Sequence, residues 1–341
     1  MMKKIILLFL IISCNSIPNK KREVIMITDV QIPFVWIPSG SFKMGSNDLM
    51  ARKDEKPVHK IILDGFWMSE TPITNIQFAA FINKSGYKTT AEIAPTIEQV
   101  ISQLPLGTPL PKKEMLGPGS LTFKNDSRPA NTNSNIKWWQ WSVNSDWRHP
   151  YGENSSIKGM DDHPVVHISW FDAMAFSEWA NMSLPTEAQW EYAAKKGEDT
   201  NTREMNIWQG IFPINNLGSD GYQKTNPVYA YKPNKIGLYD MAGNIWEWVA
   251  DWYRPDTYSM NNRQKNPIGP FSSYDPLEPN VPKRVTRGGS FLCSDQYCAG
   301  YRTTARMRTS PDTSLEHTGF RVVMSEVQMK KYILPNYLSL L

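Results

Sequence analysis

A mixed α+β domain containing more loop than regular structure is the fold class the sequence predicts, and three observations carry that expectation. Segments with helical periodicity are few and short, and the strand-like runs between them are punctuated by Gly and Pro. Thirteen Trp and 25 Pro in 341 residues suit loops pinned by large rings rather than a helical bundle. A hydrophobic content of 40% with only 21% charged residues is enough for a buried core and excludes a wholly disordered chain. The net charge of +4 is too mild for a nucleic-acid partner, and no basic stripe interleaved with aromatics is visible.

The chain opens with a sorting signal. Lys3 and Lys4 precede the apolar run Ile5–Ile12, which is too short to span a bilayer and suits the apolar core of a secretory leader. The ending Ile11-Ile12-Ser13-Cys14 is similar to a bacterial lipobox. Cleavage before Cys14 and lipid attachment to it would anchor the chain in a membrane of the cell envelope, outside the cytoplasm. The expected organisation is a lipoprotein signal peptide at 1–13, a lipidated tether at 14–29, one globular domain at 30–324 and a tail at 325–341.

Phe34–Ser46 reads as strand, turn and strand, and Val58–Leu63 as a further strand. Thr74–Asn83 reads as a helix with Thr74 and Gln77 as a capping box and Gly86 just past its end. Thr90–Ser145 is irregular and reads as a surface layer, with loop at Pro105–Pro111 and Asp126–Asn135. Pro164–Trp170 reads as a strand. Ser169 is placed to cap a helix over Phe171–Met182, and Thr186 and Gln189 to cap another over Ala188–Lys196, ended by Gly197. From Asn206 onward short strands and loops dominate, and the role of Met329–Leu341 is not legible.

His163 and His167 have the spacing of a helical metal pair, but on a strand residues four apart lie about 13 Å from each other and cannot share an ion. His149 fits a groove lining and a packed structural role equally well, and Trp246 and Trp248 read as core. Two cysteines remain beside Cys14, namely Cys293 and Cys298. Read without context, such a pair in an exported chain suits a structural disulfide. A loop that short would add only modest chain-entropy stabilisation.

Seven blocks, taken together and in order, change the context. They are Ile37–Gly45, Trp147–Pro150, His163–Trp170, Leu184–Tyr192, Gly237–Trp248, Arg287–Phe291 and Thr318–Arg321. The set, running from Phe34 to Val323, resembles the formylglycine-generating enzyme (sulfatase-modifying factor) family. The resemblance implies a single α+β domain of C-type-lectin-like form with low regular secondary structure. It also implies an oxygen-dependent oxidoreductase that converts a cysteine of an unfolded sulfatase-type protein, within a Cys-x-Pro-x-Arg sequence, into formylglycine.

For the site, the resemblance implies that Cys293 and Cys298 hold Cu(I), that a substrate cysteine joins them, and that molecular oxygen is the oxidant. Soft thiolates suit that ion. Ser290 matches a family serine of the active pocket, and a turn serine bonding its own backbone is the equal alternative. Gly288-Gly289 allows backbone to pass close to the site. Arg302 and Arg306 suit either thiolate stabilisation or loop-fixing ion pairs. The resemblance further implies one Ca2+ site at Asn206, Ile207, Asp220 and Tyr222, and a second at Asp240, Gly243, Ile245 and Glu247. Side-chain oxygens of Asn206, Asp220, Asp240 and Glu247 and main-chain carbonyls of the others are the hard donors that calcium takes. The rival expectation is a non-catalytic lipoprotein of the same fold acting in assembly or motility. The cysteine pair speaks against that rival, as the five histidines speak against an iron site.

Overall fold

The structure is a computed structural model that describes residues 22–103, 116–124, 138–197, 204–260, 264–295 and 298–338. In chain order its elements are β1 (Arg22–Ile27), β2 (Val30–Ile37), β3 (Gly40–Met44), β4 (His59–Leu63), β5 (Phe66–Ser69), α1 (Asn75–Ser85) and α2 (Ile97–Gln103). The hairpin strands β6 (Gly119–Phe123) and β7 (Trp139–Val143) follow, then α3 (Trp170–Trp179) and α4 (Glu187–Lys196). The C-terminal part holds β8 (Gly210–Ile211), β9 (Asn215–Asn216), β10 (Trp246–Trp252), α5 (Thr257–Met260), β11 (Arg284–Arg287), β12 (Met307–Thr309), β13 (Thr318–Phe320), β14 (Val323–Met324) and α6 (Glu326–Leu338).

Side-chain alternation along the central strands feeds two cores at once. On β2, Ile32 and Phe34 enter a core with Phe78, Phe81, Phe176 and Trp248, whereas Val35 and Ile37 enter another with Trp190, Tyr192 and Val285. On β5, Trp67 joins the first core and Met68 the second, as Trp248 and Val249 do on β10. Apolar residues on both faces are what such strands require. One four-stranded sheet has the order β1-β2-β5-β14 and is antiparallel throughout. A second has the order β12-β11-β10-β13, with β10 and β13 parallel. This is the mixed, loop-rich α+β architecture expected.

The folded domain starts earlier than expected. Arg22–Ile27 is not tether but an edge strand, paired in register from Arg22 opposite Val35 to Ile27 opposite Val30, with Ile25 and Ile27 buried. The tail is helical, and Met329 packs into the first core. Cys14 and its leader, Pro105–Pro111 and Asp126–Asn135 lie outside the described residues. Among the described residues, no helix is long and apolar enough to cross a membrane.

The helices begin where their caps predict. Ser169 Oγ accepts from Asp172 N at 3.1 Å, and Thr186 Oγ1 from Gln189 N at 3.2 Å. At α1 the expected capping box of Thr74 and Gln77 is present, with Gln77 Oε1 accepting the Thr74 amide at 3.0 Å. Gly86 ends α1 in the left-handed conformation, with φ 68°. The expected strand at Pro164–Trp170 does not form. Val165 N bonds Ile73 O, His167 N bonds Leu315 O, and the positive φ of His167, 59°, turns the chain before Trp170 opens α3.

Buried guanidinium groups hold the loops. Arg321 donates to both Glu247 oxygens, at 2.6 and 2.7 Å, and reaches the Tyr239 carbonyl at 2.8 Å. Arg287 binds Glu187 and Glu191, and Arg306 grips Glu187 through Nε and Nη2. Breaking one partner of a buried pair strands the other charge, which typically costs about 3–5 kcal/mol. Arg321→Met is therefore expected to cost that much in urea unfolding, and adding Glu247→Leu to recover part of the loss. Equal stability of the single variant and the parent would refute the role given to this pair.

Candidate active site

The segment Gly288–Tyr301 folds back on itself. Gly288 and Gly289 have φ of 96° and 72°, and a Cβ on Gly289 would stand 2.5 Å from the Tyr301 nitrogen. Only glycine tolerates both conditions. A Cβ on Gly300 would lie 3.0 Å from Cys293 Sγ. Short turns fix the rest: Cys293 N donates to Ser290 O at 2.8 Å and Cys298 N to Ser294 O at 3.1 Å.

This crossing brings the two predicted cysteines together as free thiols that hydrogen-bond each other. Their environments differ. Cys293 is fully buried, and burial pushes its thiol well above the ordinary value. Cys298 is half-buried, and the hydrogen bond from Cys293 draws it down, helped by the Arg52 guanidinium. Cys298 is thus the sulfur favoured as thiolate, with the proton kept on Cys293.

Both sulfurs line a cavity of about 350 Å³ together with Ser290. One wall is aromatic: Phe123, Trp138 and Trp139 from the β6–β7 hairpin meet Phe212 and Trp246. The lining also includes polar and charged groups: Ser310, Thr313, Glu278, Lys283 and Arg308. Ser290 serves both readings left open for it, since it lines the cavity and its Oγ also accepts from Leu292 N at 3.3 Å. Trp246, expected as core, is a buried residue that also faces the cavity.

The hairpin is the part that sequence reasoning missed. Segment 116–143 reads as irregular surface, yet β6 is stitched to the chain before β13 through Leu121 N to Ser314 O at 3.2 Å and Glu316 N to Leu121 O at 3.1 Å. The run Trp138-Trp139-Gln140-Trp141 was the available signal. His317 was also missed. It lines the cavity, with its ring 4.8 Å from that of Trp139 and Nδ1 3.1 Å from Thr318 Oγ1.

Other predicted candidates stand elsewhere. His149 pairs with Asp146 at 3.1 Å and is no part of the cavity wall. His163 bonds Thr225, while His167 bonds Ser120 and the Pro150 carbonyl, so the two share no site. Arg302 and Arg306 fix loops. Arg302 donates twice to the buried Glu55, and although burial opposes it, those bonds with the Arg52 amide and Thr304 bring Glu55 down to about 2.

The calcium candidates converge only in part. Asn206 and Gly243 touch, because Asn244 N donates to Asn206 O at 2.8 Å and a Cβ on Gly243 would meet that same oxygen. The Asp220 carboxylate accepts from the Tyr222 amide at 3.0 Å and from Ile207, and its Oδ2 is buried without a partner. Asp240 likewise has a buried, unpartnered Oδ2, and burial raises its carboxyl to about 6. An orphaned buried carboxylate oxygen fits a bound cation. Glu247 does not stand free as expected, since Arg321 and Trp190 Nε1 occupy both its oxygens. Ile245 is fully buried beside it. Among the described residues, no three His, Cys, Asp or Glu side chains converge on a metal position.

The fold and this site define the class. Residues 27–326 match the sulfatase-modifying factor enzyme 1-like domain, and the chain belongs to that family. It is 39% identical over 302 residues to the formylglycine-generating enzyme of Thermomonospora curvata, covering 84% of this chain and 91% of that protein. It is 31% identical over 309 residues to the inactive C-alpha-formylglycine-generating enzyme 2 of Mus musculus, covering 87% of each. Among solved structures, PvdO from Pseudomonas aeruginosa shares the fold, with a TM-score of 0.58 at 20% identity over 86% of this chain and 94% of that one.

The buried histidines give the domain an acid limit. Burial lowers His167 to about 4 and His317 to about 3, the latter aided by His167 and Lys224. Both are neutral in the fold and ordinary, near 6.5, in the unfolded chain. Their contribution is full above pH 6.5 and falls as the pH drops from there toward 4, because the unfolded state then binds more protons. The melting temperature is expected to fall steadily over that window, and His167→Gln to flatten the slope. A profile unchanged by that substitution would contradict the assignment.

Proposed function

We propose that this chain oxidises a cysteine of a sulfatase-type polypeptide to formylglycine at Cys293 and Cys298. One observation carries the reading: two free thiols share a hydrogen bond on the wall of an open cavity. Family membership does not decide activity alone, since a relative of similar extent is named inactive. The thiol pair is the chemistry on which activity turns.

Two soft donors with room for a third ligand fit Cu(I) better than any hard cation. Copper bound there would supply one-electron redox chemistry toward molecular oxygen. The chain's own part is to hold and orient. The cavity admits the substrate's thiol beside Cys298, Ser290 offers a hydroxyl next to it, and the aromatic wall limits water around the reacting carbon. Converting the CH2–SH group to an aldehyde removes two electrons from carbon and releases the sulfur as hydrogen sulfide, while reduction of one oxygen molecule to the aldehyde oxygen and water takes four. An external thiol reductant is therefore needed for the other two.

In the same reading, Asn206, Ile207, Asp220 and Tyr222 hold one Ca2+. Asp240, Gly243 and Ile245 hold a second, with Glu247 shared with Arg321. The lipobox-like end at Ser13-Cys14 supports, in the same reading, a lipid tether to a membrane of the bacterial cell envelope, with the domain outside the cytoplasm.

A peptide containing Cys-x-Pro-x-Arg, incubated with the protein, copper, oxygen and a thiol, is expected to exchange its sulfur for oxygen by mass spectrometry. Cys293→Ser and Cys298→Ser should each lower the rate at least about a hundredfold, about 2.7 kcal/mol of barrier. An unchanged peptide, with no copper retained by the parent protein, would establish the non-catalytic alternative. Stripping calcium is expected to lower the melting temperature, by roughly 2–4 °C per kcal/mol lost for a domain of this size. Elemental analysis showing no bound calcium, with no thermal response to chelator, would remove those two sites.

A further inference from the structure

The loop between α5 and β11 combines two properties that rarely occur together. It is held in place, and it exposes large apolar side chains. Over residues 266–282 it contains five prolines, Pro267, Pro270, Pro276, Pro279 and Pro282, each of which fixes one backbone angle. Asn266 N donates to Ile62 O at 2.9 Å at one end, and Lys283 N to Ser273 Oγ at 2.8 Å at the other. Between them Tyr274 N bonds Tyr253 O at 3.0 Å, and the buried Asp275 carboxylate pairs with Arg308 at 2.6 Å. Gly269 lies so close to Asp251 that a Cβ would stand 2.4 Å from its carboxylate. Yet Phe271 is 92% exposed, Leu277 74% and Ile268 55%. Large apolar groups held in water on an ordered loop mark a contact surface rather than slack chain.

The far end of the same loop is part of the cavity wall, through Glu278 and Val281. Any polypeptide whose cysteine reaches Cys298 must leave the cavity across its rim. An extended chain advances about 3.3–3.6 Å per residue, so residues three to five positions from the cysteine lie about 10–18 Å away, outside the pocket. We propose that this loop is the landing surface for the apolar flank of the substrate polypeptide. It receives one or two large apolar residues near the reacting cysteine on Phe271 and Leu277. The proposal rests on the catalytic reading above and specifies how that site recognises an unfolded chain. The only charged residues of 266–282 are the acids Asp275 and Glu278, paired with Arg308 and Lys283. That composition suits an apolar peptide better than an anionic membrane surface, which attracts basic segments.

The test uses the full-length protein and two peptides. One is a short Cys-x-Pro-x-Arg peptide, and the other carries the same core with several further residues, including Leu and Phe, on either side. Phe271→Ser and Leu277→Ser are each expected to raise KM for the long peptide about tenfold, about 1.4 kcal/mol, with kcat unchanged. The short peptide should be converted as by the parent, and circular dichroism should show an unaltered fold. Equal effects on both peptides, or none on the long one, overturn the proposal. So does a loss of self-association on sedimentation with the long-peptide KM unmoved, which would make the loop a contact between copies. If the parent converts neither peptide, the catalytic reading fails separately. Anisotropy of the labelled long peptide then decides the loop: tenfold weaker binding by both variants upholds it, and binding equal to the parent rejects it.

Discussion

The pairing of Arg321 with Glu247 is the contact on which the rest of the architecture depends. Glu247 sits on β10 between Trp246, which faces the cavity, and Trp248, which fills the first core. Arg321 follows β13 and touches carbonyls at Ser69, Glu70 and Tyr239. One guanidinium therefore joins both four-stranded sheets and the loop that carries Asp240. Where the longest strand among the described residues has eight residues, ladders alone cannot order so much irregular backbone. Buried charge with directional hydrogen bonds does so, provided every donor and acceptor is used.

The same logic explains the chemical asymmetry at the thiols. Glycine at 288 and 289 lets the backbone cross where a side chain would collide, and the crossing sets one sulfur inside and the other at the cavity edge. Desolvation then loads the proton onto Cys293, and Cys298 is left as the better donor to an incoming soft partner. The difference comes from depth in the fold, since the two residues are identical.

Local rules made much of this legible in the sequence. Caps at Thr74, Ser169 and Thr186 located the helix starts to within a residue, because capping is decided by a few neighbouring groups, whereas α3 stops three residues short of the expected Met182. The cysteine pair and Ser290 were readable because one short segment carries them. Pro164–Trp170 misled because its β-branched residues look strand-like, whereas its hydrogen bonds go to Ile73 and Leu315, far away in sequence. Glu247 misled for the same reason: nothing in its own block indicates that Arg321 claims it. The aromatic wall was hidden because Phe123 and Trp139 meet Phe212 and Trp246 only after long-range folding.

The β6–β7 hairpin is joined to the remainder at Ser314–Glu316, at His167 through Ser120 and by ring contacts of Phe123 with Trp208 and Phe212, and it contributes much of the cavity's aromatic face. Neither central sheet includes its strands. Evolution, or an engineer, can thus vary the rings of this hairpin to retune which guests are admitted without altering a strand of either central sheet.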